Sequence, residues 1–206
     1  MRKKYLPFVT VCFLLAALFL GNCGGSGPGA PGSSGSEDTG ILPTVTAITH
    51  NTVVSNQGDE WEIDLIQDVC TGGTLEKWGN DYAEISFTGQ YVNPNVTSNN
   101  QLYVTNYTVS FLAVNPSNPT IPAIVAGSQG AITIVPNTTT GPFTFLVFST
   151  GMKEQLVQDL NTINSVPSFP LQYNMEIVLY GQDNYGNSFT VGPIIRLINI
   201  QDYNNC

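Results

Sequence analysis

The sequence predicts an all-β fold: an antiparallel sandwich of about eight strands with one short helix near 151–163. Three observations carry this reading. Several runs alternate strictly between apolar and polar residues, which puts one face of a strand on a core and the other in water. Clusters of Asn, Asp, Pro and Gly separate runs rich in β-branched and aromatic residues. Only one segment shows apolar spacing of helical period.

The chain opens outside that fold. Arg2, Lys3 and Lys4 precede the apolar run 6–20, a basic-then-apolar leader of secretory length, too short for a comfortable membrane span of ~20 residues. Residues 24–40 are Gly, Ser, Pro and Ala with little else, a stretch with no apolar face to bury and therefore a tether. As a flexible coil it spans on the order of 20–25 Å. The expected organisation is a signal peptide over 1–22, an anchor and tether over 23–40, and one folded domain over 41–206.

Within the domain, Trp61, Ile63 and Leu65 alternate with Glu60, Glu62 and Asp64, and Ala83, Ile85 and Phe87 alternate with Glu84, Ser86 and Thr88. Tyr173, Met175, Ile177 and Leu179 form a third alternating set. Further strands are expected over 45–54, 102–114, 131–135, 143–148 and 188–200. Turns are expected at 115–119, at Thr139-Thr140-Gly141-Pro142 and at Asp183-Asn184-Tyr185-Gly186-Asn187. Met152, Leu156, Leu160 and Ile163 recur at helical spacing, with Ser149 or Thr150 as N-cap and Pro167 beyond the end. Pro193 cannot donate to a ladder, so it marks an edge or a bulge in the last strand.

Two resemblances add to this. Leu20-Gly21-Asn22-Cys23 resembles the lipobox of bacterial lipoproteins, with Asn22 where a Gly, Ala or Ser is usual. The resemblance implies that Cys23 is the lipidated residue and that the protein sits in the cell envelope, at the outer membrane, or is secreted if the motif is not used. The run from Pro170 through Ser188 looks like the last hairpin of fibronectin type III and immunoglobulin-like domains. That implies an immunoglobulin-like sandwich in which Tyr173 takes the tyrosine-corner role, its hydroxyl bonding back to nearby backbone.

Charge narrows the functional classes. Without the leader the chain keeps three basic residues (Lys77, Lys153, Arg196) against fifteen acidic ones, a net of −12. Such a surface repels phosphate backbones, so nucleic acid is excluded as a partner. In an oxidising compartment the default for Cys70 and Cys206 is a disulfide, the alternative being two unpaired thiols.

Catalytic signals are sparse. His50 is the only histidine, no nucleophile-elbow pattern occurs, and no spacing singles out a pair of carboxylates, so no catalytic residue is assigned. The acidic stretch Asp59, Glu60, Glu62, Asp64 and Asp68, completed by Asp183 from another loop, could supply hard oxygens to calcium; otherwise it is a solvated strand face. Trp61 shares a face with Ile63 and Leu65 and belongs to the core, whereas Trp78, in the loop 71–80, is the better candidate for an exposed binding residue. The leading expectation is a non-enzymatic, envelope-tethered binding or structural module with an envelope protein or surface polymer as partner. The alternatives are a calcium-stabilised adhesion-type domain and an enzyme of unrecognised type.

Overall fold

The computed structural model describes residues 39–52, 61–93, 95, 99–162 and 168–203. Eight strands and one helix succeed one another: β1 (Ile41–Thr52), β2 (Trp61–Asp64), β3 (Asp81–Tyr91), β4 (Leu102–Ala113), β5 (Ile124–Ile134), β6 (Thr139–Phe148), α1 (Thr150–Thr162), β7 (Leu171–Asp183) and β8 (Ser188–Gln201). They form a β-sandwich, a three-stranded sheet ordered β1-β3-β6 against a five-stranded sheet ordered β2-β8-β7-β4-β5. Every neighbouring pair is antiparallel except β2 and β8, which run parallel from Trp61↔Ile198 to Asp64↔Gln201. The first strand region is therefore divided, β1 going to one sheet and β2 to the other.

Alternation places the side chains as expected. Ala83, Ile85 and Phe87 on β3 and Tyr173, Met175, Ile177 and Leu179 on β7 are essentially inaccessible. They meet Phe145, Val147 and Phe148 of β6 and Ile198 and Ile200 of β8 in one core. Tyr107 pins the two sheets together: its hydroxyl accepts from the Leu146 amide at 3.1 Å and donates to the Leu146 carbonyl at 3.3 Å. Burial pushes this phenol's pKa above its ordinary value, partly offset by that backbone bond and reinforced by nearby Tyr82.

Two local expectations change. Thr139-Thr140-Gly141-Pro142 is no turn but the start of β6, where the pairing with β3 slips between Ile85 and Phe87. Gly141 has φ +113°, and a Cβ there would come within 2.9 Å of the Ile85 carbonyl. β6 lies at a sheet edge, which is why Pro142 is tolerated. The reversal itself falls just before, at Asn137 with φ 59°, whose amide donates to the Gly89 carbonyl. Pro193 does sit in a bulge, where the β7–β8 register slips between Ile177 and Leu179.

Tyr173 is buried and donates its hydroxyl to the Pro119 carbonyl at 2.7 Å. That acceptor belongs to the β4–β5 connection, so the corner ties β7 to a distant loop rather than to nearby backbone. Burial raises this phenol's pKa to about 12. The helix is capped as the sequence suggests: Ser149 Oγ accepts from the Met152 amide at 3.2 Å, and Asn80 accepts from the Thr150 amide at 2.9 Å. The expected helix stop at Pro167 lies outside the described residues.

Candidate functional site

The strand registers sort the loops to two ends of the sandwich. At the end where the chain enters, the Asn100 side chain donates to the Thr39 carbonyl at 3.0 Å and to Asp183 Oδ2 at 2.9 Å. Asp183 begins the β7–β8 turn, and its carboxylate also accepts from the amides of Tyr185 and Asn187 and from the Asn187 side chain. Burial pushes the Asp183 pKa up, but these four donors outweigh it and hold the carboxyl below its ordinary value. The carboxylate is committed to closing this end.

The opposite end carries α1, the segment between β2 and β3, and the residues after β8. A charged cluster is buried there. Asp81, at the start of β3, is 1 % exposed, and the side chains of His50 on β1 and Lys153 on α1 are 2 % exposed. His50 Nε2 lies 3.1 Å from Asp81 Oδ1, and Lys153 Nζ lies 2.9 Å from Asp81 Oδ2. The imidazole stacks on Trp61 with ring centroids 4.9 Å apart, and the Lys153 ammonium sits 5.2 Å over the Trp78 ring. Trp78 in turn donates its indole N–H to the Asp64 carbonyl at 3.2 Å. Since carboxylate oxygens only accept, His50 carries its proton on Nε2. Its Nδ1 is buried without a hydrogen-bond partner.

Beside this cluster lies an acidic one. Glu76 is 4 % exposed, and its carboxylate accepts from the Asp68 amide at 2.7 Å while its own amide donates to the Asp68 carbonyl. Asp64 Oδ1 accepts from the Tyr203 amide at 3.0 Å. Burial, then repulsion from Asp68 and Glu76, raises the Asp202 pKa above its ordinary value. Among the described residues no group of three or more His, Cys, Asp or Glu side chains has a geometry that could hold a metal ion.

The residues singled out by sequence thus separate. Trp61 is core, at 6 % exposure. Asp64 is buried rather than on a solvated face, and its carboxylate is taken up by the Tyr203 amide just after β8. Asp64 and Asp68 lie at the far end and Asp183 at the entering end, so these acids do not converge; Asp59 and Glu60 lie outside the described residues, and Glu62 is half-buried on β2. Trp78 is half-buried and engaged by Lys153 and Asp64 rather than presented as an open surface. Cys70 is disulfide-bonded; Cys23 and Cys206 lie outside the described residues.

What sequence reasoning missed is Lys153, Asp81 and Glu76. One signal was available for the first: Lys153, Leu156 and Leu160 share an i, i+3, i+7 stripe, which is the stripe α1 buries. No family model, curated protein or solved structure matches this chain.

Proposed function

We propose that this chain is an extracytoplasmic module, tethered to the bacterial envelope through Cys23, that presents the far end of its sandwich to an envelope protein or surface polymer. One observation carries the reading. The polypeptide enters the domain at Thr39–Ile41, fastened there by Asn100 and by the bond from the Val92 amide to the Gly40 carbonyl, so an anchor ahead of that point leaves the opposite end outermost. That end bears the hairpin around Cys70, closed by the bridge Val69↔Leu75 and by the Cys70 amide bonding to the Thr74 carbonyl at 2.7 Å. Val69 and Leu75 are 69 % and 61 % exposed, an apolar tip on this end. A bridge from Cys70 to Cys206 would fix this hairpin to the chain terminus. It is favoured by the path of the chain, since Tyr203 already bonds to Asp64 only six residues before Cys70.

The test is site-specific photo-crosslinking in the native envelope, with the reactive group at Val69, at Leu75 and, at the other end, at Tyr185, which is 74 % exposed. Discrete adducts from positions 69 and 75 and none from 185 are expected. Adducts from position 185 alone would overturn the orientation and the reading with it.

A further inference from the structure

The cluster of Asp81, Lys153 and His50 brings together an amine, a carboxyl group and a fixed N–H donor in a buried space walled by Trp61 and Trp78. Lys153 Nζ is 2.9 Å from Asp81 Oδ2, yet Oδ2 has no hydrogen-bond partner of acceptable alignment. The contact is close approach without a lone-pair-directed bond. The other oxygen, Oδ1, faces His50 Nε2 at 3.1 Å. We propose that Lys153 and Asp81 condense to an intramolecular amide, a self-made crosslink that ties α1 to the start of β3, with His50 stabilising the oxyanion.

The step balances within the cluster and needs no oxidant or outside reagent. A proton passes from Nζ to Oδ2 across the 2.9 Å contact, turning a buried ion pair into a neutral amine and acid and removing two charges that an apolar surround disfavours. The Nζ lone pair attacks Cγ, and the charge that develops on Oδ1 is met by the His50 Nε2–H. A second proton moves from Nζ to Oδ2, the Cγ–Oδ2 bond breaks, and water leaves. Of the three ammonium hydrogens one remains on the amide nitrogen and two depart with Oδ2. Oδ1 becomes the amide carbonyl and keeps its bond from His50, whose protonation is the same at the end as at the start. Holding the two groups in contact supplies an effective concentration on the order of 10⁵–10⁸ M, which is what free amines and carboxylates in water lack. This crosslink does not depend on the partner proposed above.

The test is a tryptic digest of the full chain after detergent extraction, reduction and denaturation. Past the leader the only basic residues are Lys77, Lys153 and Arg196. Trypsin does not cut after an acylated lysine, so residues 78–196 are expected as one fragment, one water lighter than the sequence requires. Separate fragments 78–153 and 154–196 at full mass would overturn the proposal. So would a lost water in a fragment still cut after Lys153, which places the dehydration elsewhere. Asp81→Ala is expected to restore cutting after Lys153, and a joined fragment in that variant counts against the assignment. His50→Phe keeps the ring stack and removes the donor; it is expected to slow conversion in a pulse-labelled time course, and an unchanged rate would refute the role given to His50. The wild-type digest decides the main question whether or not the variants fold.

Discussion

Replacing Asp183 by Asn tests the closure of the entering end. The change is isosteric, so no cavity forms and the effect is confined to hydrogen bonding. In the wild type Oδ1 accepts from the Tyr185 and Asn187 amides at 2.8 and 2.9 Å, and Oδ2 accepts from the Asn100 and Asn187 side chains at 2.9 and 3.0 Å. An asparagine can keep the first pair through its carbonyl, but its NH₂ then faces two more NH₂ groups. Asn187 is exposed and can turn to water, whereas Asn100 is 5 % exposed and cannot. One buried donor left unpaired costs about 1–3 kcal/mol, and losing the charge from the remaining bonds adds about 1 kcal/mol. The expected loss at neutral pH is therefore about 2–4 kcal/mol, roughly 5–15 °C in Tm for a domain of this size.

The pH dependence gives a second, independent reading. The Asp183 pKa is depressed below its ordinary 3.8, so its contribution is complete above that value and disappears as pH falls through the folded-state pKa. Urea unfolding of wild type and Asp183→Asn should differ at neutral pH and converge in strong acid. A difference under about 0.5 kcal/mol at neutral pH, or one that persists unchanged in acid, would refute the account, because ordinary surface substitutions stay within that range.

Four further outcomes follow from the same geometry. Tyr173→Phe should cost about 1–2 kcal/mol through loss of the bond to Pro119, and should also remove the part of the alkaline loss of stability that sets in between about pH 10 and about 12, as the phenol ionises in the unfolded chain first; matched denaturation curves at neutral and alkaline pH check both. Gly181→Ala should cost about 3 kcal/mol or prevent folding, since its Cβ would lie 2.1 Å from the Tyr103 carbonyl and 2.5 Å from Phe189; soluble yield and urea midpoint report it. A non-reduced tryptic digest should join the peptides holding Cys70 and Cys206 and release them on reduction, whereas free-thiol labelling at both positions would exclude the bridge. Cys23→Ala should move the protein from the detergent phase to the aqueous phase, and a wild type that is already wholly aqueous would remove the anchor.

The sheets were legible because their signal is local. Residues two apart in 83–87 and 173–179 share a face whatever their partner strand, and the spacing 152, 156, 160 marks a helix in any setting. The buried cluster is not local. His50 on β1 and Asp81 at the start of β3 have β2 between them in sequence, and Lys153 arrives from a helix that the far end happens to receive. Asp64 reads as a solvated position because alternation assigns its face but cannot show that the Tyr203 amide, far along the sequence, bonds to its carboxylate. Thr139–Pro142 was misread for a related reason: Gly-Pro marks a turn or a bulge with the same letters, and only pairing with β3 decides between them. The tyrosine of the last hairpin was identifiable, but its acceptor was not, because Pro119 lies in a loop whose path depends on the whole sandwich.

The way the chain enters the fold also sets how the domain would bear load. From Ile41 it passes at once into β1, which is laddered to β3 from Ile41↔Tyr91 to Thr52↔Asp81. Tension arriving from residues ahead of Thr39 is directed along β1, whereas the ladder bonds of an antiparallel pair stand across the strand. Such a pull strains the ladder in shear, so its bonds share the force and must give way together instead of unzipping one after another from a free end. A strand placed at the very margin of its sheet is, in this direction, among the hardest parts of the molecule to strip away.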